Sequence, residues 1–267
     1  MEKDVKKALD DIDSVNPFAT YLSDSTLSRV GGWIDTGSYV LNAIVSGSIH
    51  GGIPKGRVTM LAGESMTGKS LFVMKILAAA QKEGLIPVIF DTENAIDPEG
   101  AERLGLDTSN VKYVPCISIE QTRNALYKFL TTVKEKGLEG KFIVAIDSLG
   151  NLQSELSLAR MGKDSTSTDM GTNARAMKSL MQTCTNLGAV TQTTILCTNH
   201  VYDNPAALFP SIEKNMPGGK SCVYLPSVTI QLARKPVKSD GGKTMDGETA
   251  VAQKNYAGII IRALTRK

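Results

Sequence analysis

A chain of 267 residues that is 42% hydrophobic and 21% charged can bury the core of one large α/β domain, or of one domain with a small appendage, and carries no signature of global disorder. Its formal net charge of +3 is too mild to imply nucleic acid by itself, so a polyanion surface would have to come from local clustering of cations. No apolar run reaches the roughly 18 residues of a membrane span, and Met1-Glu2-Lys3-Asp4 opens without the apolar stretch of a signal peptide.

The four cysteines, Cys116, Cys184, Cys197 and Cys222, form no C-x-x-C pair, which suggests buried reduced thiols and a cytoplasmic setting. His50 and His200 are the only histidines, so a His-rich metal site is excluded.

In chain order, residues 1–32 read as an arm outside the core: a charged helix candidate over 2–11, then Asn16-Pro17 and a Ser/Thr-rich stretch. Residues 33–267 form the core domain. Trp33 begins a compact lead-in, and residues 50–56 make a turn into a buried strand over 57–62. A helix over 69–82 follows, with Leu71, Met74, Leu77 and Ala78 at helical spacing. Next come a strand over 87–91, a short helix over 98–104 and a strand over 111–114.

Ser118 and Gln121 form a capping box that opens a helix running to about residue 136. Residues 142–147 are a fully buried strand. Ala174, Met177, Leu180, Met181, Cys184 and Leu187 mark another amphipathic helix, and 193–198 the next strand. This alternation predicts an α/β fold with a mostly parallel sheet covered on both faces. The tail predicts strands over 222–233 and 258–264, joined through Asp240-Gly241-Gly242 and adding antiparallel pairing at one sheet edge. Two segments, 155–172 and 201–219, interrupt the core after predicted strands and read as long loops, which are either plain surface loops or functional.

The strand and helix at 57–82 flank Gly63-Glu64-Ser65-Met66-Thr67-Gly68-Lys69-Ser70, which reads G-x-x-x-x-G-K-S. Backbone N–H groups of such a loop wrap the phosphates, the lysine faces the β- and γ-phosphates, and the serine hydroxyl binds Mg²⁺. Strand before and helix after argue against a ligand-free glycine turn, so the chain is expected to bind a nucleoside triphosphate. Hydrolysis further needs an acid for the metal shell and a group that activates water. Asp147 ends an apolar run at the carboxyl edge of a strand, and Glu93 follows another, so both face the ligand crevice of an open α/β sheet. Either could instead cap a turn. His200 lies at the end of the 193–199 strand and reads as a switch beside the γ-phosphate, or as a packed histidine.

These residues resemble the RecA-like strand-exchange recombinases, and most closely the phage UvsX-type members, over roughly residues 34–267. The resemblance rests on Ile34-Asp35-Thr36-Gly37-Ser38, Gly51-Gly52-Ile53-Pro54-Lys55-Gly56 and the 63–70 loop. It continues through Phe90-Asp91-Thr92-Glu93-Asn94-Ala95-Ile96-Asp97-Pro98, Ile146-Asp147-Ser148-Leu149-Gly150-Asn151-Leu152, Asn199-His200 and Gly218-Gly219.

The resemblance implies a P-loop ATPase core using ATP and Mg²⁺, with Glu93 activating water, Asp147 in the metal shell, Asp97 against the adenine and His200 sensing the γ-phosphate. Position 200 is glutamine in the bacterial proteins and histidine in the phage branch. Gly100 stands where the family often has an aromatic against the base. The 155–172 and 201–219 segments fall at the family's two DNA-binding loops. Arg160, Lys163, Arg175 and Lys214 supply cations there, and Phe209 a stacking group.

The family forms helical filaments on single-stranded DNA and pairs it with homologous duplex, with loader and single-strand-binding proteins as further partners. Phe18 is then the arm's anchor on a neighbouring subunit, or a staple on its own core, and Arg266 and Lys267 reach toward the neighbour's nucleotide. The family normally continues beyond the strand in which this sequence stops, so a C-terminally truncated form is expected, acting in the cytoplasm (the host's, if phage-encoded). The leading expectation is a DNA-dependent ATPase of recombination and repair. The alternatives are a nucleotide-dependent single-stranded-DNA-binding protein without strand exchange, or another RecA-core ATPase such as a hexameric helicase.

Overall fold

A computed structural model of the chain describes residues 2–16, 18–25, 27–161, 170–203, 214–238 and 256–266. The first helix, α1 (Glu2–Val15), leads into a lead-in module in which β1 (Trp33–Ile34) pairs antiparallel with β2 (Ile53–Pro54) around α2 (Tyr39–Ser46). Ser38 caps α2 by accepting from Leu41 N–H, and Gly47 closes it at φ 77°, a left-handed conformation that glycine adopts without a Cβ penalty. Arg57 ties the end of the arm to the core by donating to the carbonyls of Leu27 and Arg29.

The core alternates strand and helix: β3 (Val58–Gly63), α3 (Lys69–Lys82), β4 (Ile86–Asp91), α4 (Pro98–Arg103), β5 (Lys112–Pro115), α5 (Ile119–Glu135) and β6 (Phe142–Asp147). Then follow α6 (Glu155–Met161), α7 (Met170–Val190), β7 (Thr194–Asn199), α8 (Ser221–Tyr224), β8 (Val228–Lys238) and β9 (Tyr256–Thr265). Seven strands form one sheet in the order β5-β4-β6-β7-β3-β8-β9. All neighbours pair in parallel except β8 and β9, which pair antiparallel at the edge as the tail pattern predicted.

Side chains alternate along a strand, so each central strand feeds two cores. Val144 and Ile146 of β6 pack with Leu126 and Leu130 of α5 and Leu180 and Met181 of α7. Ile143 and Ala145 pack on the other face with Val73, Ile76 and Leu77 of α3. Burial on both faces is why these strands read as continuous apolar runs. Each valine, leucine, isoleucine or methionine among them gains about 1.5–3 kcal/mol from leaving water. The thiols of Cys116, Cys184, Cys197 and Cys222 are all buried, and burial pushes that of Cys222 up to about 12, so they act as small apolar groups.

Three expectations need correction. Residues 155–161 are helical rather than loop, because Ser154 caps α6: its Oγ accepts from Ser157 N–H at 3.2 Å and its carbonyl from Leu158 N–H at 3.0 Å. Asn173 Oδ1 then accepts from Ser154 N–H (2.8 Å) and Ser157 Oγ (3.0 Å), locking α6 to α7, which begins within the segment expected to be loop. Cys222 lies in the short helix α8, not in a strand, since Gly218 and Gly219 turn the chain at φ 86° and 75° and strand β8 begins only after Pro226. Leu71 of α3 is 40% exposed, whereas Met74, Leu77 and Ala78 are buried as expected and Val73, Ile76 and Ala80 join them.

Candidate functional site

The register brings four strand ends to one edge. Asp91 of β4 sits opposite Asp147 of β6, Ile146 opposite Cys197 of β7, and Asn199 opposite Ala62 of β3. The 63–70 loop leaves β3 at that level and enters α3. Gly63 has no alternative there, because a Cβ would stand 2.5 Å from Thr67 Oγ1 and 2.8 Å from the Leu232 carbonyl. Gly68 adopts φ 88° and Met66 φ 61°, and Thr67 Oγ1 braces the turn by donating to the Glu64 carbonyl at 2.8 Å. The loop's N–H groups at the start of a helix form an anion cradle.

Lys69 is buried and folds back across its own loop, donating to the carbonyls of Gly63 and Glu64 at 2.9 Å each. Burial lowers its pKa, and the nearby carboxylates of Asp147 and Glu93 oppose that shift. Incoming phosphate oxygens can replace those carbonyls.

Ser70 Oγ donates to Asp147 Oδ2 at 2.9 Å, and Thr198 Oγ1 donates to Asp147 Oδ1. Burial pushes the Asp147 carboxyl above its ordinary value; the bonds from Thr198 and Ser70 pull it back, and Glu93 and Asp91 add to the rise. A cation at Asp147 would invert that balance. The hydroxyl and carboxylate are hard oxygen donors suited to Mg²⁺, which keeps most of its shell as water and phosphate. Among the described residues no group of three or more His, Cys, Asp or Glu side chains is arranged to hold a metal.

Glu93 stands beside this pair on the turn after β4. Asp91, itself buried, builds the turn by accepting from Glu93 N–H and Asn94 N–H at 2.9 Å each. Tyr113 OH donates to the other oxygen of Asp91 at 3.1 Å. Glu93 Oε1 accepts from Ser148 Oγ at 2.6 Å and lies 3.3 Å from His200 Nε2. The structure therefore brings Lys69, Ser70, Asp147, Glu93 and His200 together.

Asp97 opens on a cleft of about 220 Å³ beside Ser70, Met74 and Ile96. Its carboxylate caps α4, accepting from Glu99 N–H and Gly100 N–H at 3.1 and 3.0 Å. That cap explains Gly100: a Cβ there would stand 2.7 Å from Asp97 Oδ2. Asp91, Ser148 and Thr198 also belong to this cluster, although the sequence alone does not single them out. Thr198 had a usable signal, a polar residue ending an apolar strand, but only the register sets it against Asp147.

The cations scatter by comparison. Arg160 is half-buried at the end of α6 and Arg175 is exposed on α7, while Lys163 and Phe209 lie outside the described residues. Lys214 is committed: its ammonium pairs with Glu64 of the phosphate loop and, at 3.3 Å, with Asp203. The Glu64 bond is the main cause of the rise in its pKa. Arg266 donates to the Lys214 carbonyl at 2.7 Å, within the same chain. Lys267 lies outside the described residues. Phe18 is half-exposed, with its ring 5.8 Å from Lys134 Nζ of α5.

The chain matches the family model of the RecA N-terminal domain over residues 3–259. It belongs to the RecA family. Protein RecA of Chlorobium chlorochromatii is 32% identical over 222 residues, which cover 82% of this chain and 58% of that protein. Protein RecA of Rubrobacter xylanophilus is 28% identical over 258 residues, covering 94% of this chain and 71% of that one. Protein RecA of Chlorobaculum parvum is 31% identical over 220 residues, 82% of this chain and 59% of its own. The chain thus spans less than two thirds of two of these three RecA proteins. The RecA match runs through the whole edge described above, from the phosphate loop to His200. Among the described residues no helix is long and apolar enough to cross a membrane.

Proposed function

We propose that this chain is the ATP-hydrolysing core of a RecA-family recombinase that coats single-stranded DNA and exchanges strands with homologous duplex. The observation that carries the reading is the single edge on which Lys69, Ser70, Asp147, Glu93 and His200 converge, with Glu93 Oε1 only 3.3 Å from His200 Nε2. ATP lays its β- and γ-phosphates on the N–H groups of the 63–70 loop, and Lys69 turns from its two carbonyls to phosphate oxygens. Ser70 and Asp147 would hold Mg²⁺, which neutralises charge on the β- and γ-phosphate oxygens when bound.

Glu93 takes a proton from water as the water oxygen bonds to the γ-phosphorus. The bond from that phosphorus to the bridging oxygen breaks, and ADP leaves with the electron pair. His200, between Glu93 and the segment that begins at residue 201, carries the γ-phosphate state toward DNA, and its histidine fits the phage branch of the family. Arg160, Lys163, Arg175, Phe209 and Lys214 are assigned to the DNA, and Phe18, Arg266 and Lys267 to subunit contacts. The 1–32 arm acts in assembly and the 33–267 core in catalysis, with loader and single-strand-binding proteins as partners in the cell.

The test is ATP hydrolysis with and without single-stranded DNA. Glu93→Gln is expected to lower turnover by about 10²- to 10⁴-fold while nucleotide still binds and DNA is retained. Turnover that ignores DNA would overturn the coupling, and full turnover in Glu93→Gln would overturn the assignment of the base. A strand-exchange assay run beside it separates a recombinase from a protein that only coats DNA.

A further inference from the structure

We infer that Ser148 is a positioning residue for Glu93, holding one carboxylate oxygen so that the other meets the attacking water. This rests on the reading of Glu93 as the general base. Ser148 is fully buried, and its backbone is clamped to the residue just before Glu93. Ser148 N–H donates to Thr92 Oγ1 at 2.9 Å, and the same hydroxyl donates back to the Ser148 carbonyl at 2.8 Å. Thr92 N–H in turn donates to the Asp147 carbonyl at 2.8 Å. The serine is therefore fixed relative to both the metal-facing acid and the base.

Its hydroxyl donates to Glu93 Oε1 at 2.6 Å, the shorter of the two contacts on that oxygen. The backbone of Glu93 is held independently, by Asp91. Asp91 thus fixes where the side chain starts and Ser148 where it ends. A glutamate has three rotatable side-chain bonds, and this one is 33% exposed. Without an anchor at its tip it would spread over several rotamers. A general base works only within hydrogen-bond reach of its proton, and misplacement by about 1 Å costs on the order of 100-fold in rate. His200 Nε2 lies 3.5 Å from the Ser148 hydroxyl, so serine and histidine share the same carboxylate oxygen. A change at His200 is thereby felt at the base through a fixed neighbour.

The experiment is steady-state and single-turnover hydrolysis of radiolabelled ATP by the full chain with single-stranded DNA. Ser148→Ala is expected to lower kcat by about 10- to 100-fold with KM for ATP held within about twofold. Ser148→Thr, which keeps the hydroxyl, is expected to recover part of that loss. In a Glu93→Gln background, Ser148→Ala is expected to add nothing, because a residue that acts only through Glu93 has no further effect once the base is gone.

A fully additive loss in the double variant would assign Ser148 a merely structural role and overturn the inference. So would an unchanged kcat in Ser148→Ala while Glu93→Gln abolishes turnover, and that result leaves the base assignment standing. Full activity of Glu93→Gln removes the base and the inference together.

Discussion

The edge that carries the 63–70 loop and the cationic side beyond it are built on different principles. At the edge, Ser70, Asp91, Glu93, Asp147, Ser148 and Thr198 satisfy one another over distances fixed by neighbouring strands in register. On the other side, Lys214 meets Glu64 and Asp203 by ion pairs between partly exposed groups, and Arg266 reaches in from just past β9. A site held by strand register is preorganised, whereas one held by exposed ion pairs is exchangeable, since such pairs contribute only about 0–1 kcal/mol each. The Glu64–Lys214 pair joins the two. It places a cation expected to serve DNA directly on the phosphate loop.

The sharpest break of this contrast is Lys69→Ala set against Lys214→Ala. Loss of the buried Lys69 is expected to weaken ATP binding on the order of 100-fold or more, since truncating one member of a desolvated charged contact costs about 2–5 kcal/mol. Lys214→Ala is expected to leave ATP binding within a few-fold. Fluorescent-nucleotide titration of both variants reads the difference, and equal losses would mean that the two regions are one site.

Asp147→Asn gives an intermediate effect with opposite signs for function and stability. Because burial raises the folded-state pKa of Asp147, its contribution to stability is present below its ordinary value of 3.8 and lost as pH rises through the raised value. At neutral pH the nucleotide-free variant is therefore expected to melt at or slightly above the parent, and the difference should vanish in acid. Nucleotide binding should meanwhile lose its Mg²⁺ dependence. Thermal melts between acid and neutral pH, beside titrations with and without Mg²⁺, check both parts; a clear loss of stability at neutral pH contradicts the burial argument.

The smallest effect is expected from Glu64→Gln, which leaves the loop backbone in place but removes a partner of Lys214. Stability should change by no more than about 1 kcal/mol, as for other exposed pairs. The affinity for single-stranded DNA without nucleotide should rise as Lys214 is released, and this gain should shrink with added salt. Anisotropy titrations with a labelled oligonucleotide at two salt concentrations measure it.

Much of this protein was legible before its fold was known, because some chemistry depends on residues adjacent along the chain. The 63–70 loop is contiguous, and its glycine and lysine demands are local, so the strand-loop-helix unit could be read directly. Asp147 and Glu93 were visible as acids just beyond buried strands, where apolar runs end at the sheet's carboxyl edge. The α6 helix was not visible: it has 7 residues, too short for a periodic signal, and depends on a cap from Ser154 and a brace from Asn173 nineteen residues later.

Tertiary structure alone decided which polar groups meet. Thr198 of β7 meets Asp147 of the neighbouring β6, Ser148 just past β6 reaches Glu93 just past β4, and Lys214 crosses 150 positions of chain to Glu64. The amino-acid sequence determines the 63–70 loop and the ends of its strands because backbone sterics and apolar periodicity are local. Register and chain crossing decide the pairings, because hydrogen bonds and charge pairs act between atoms near in space however far apart they lie in the chain.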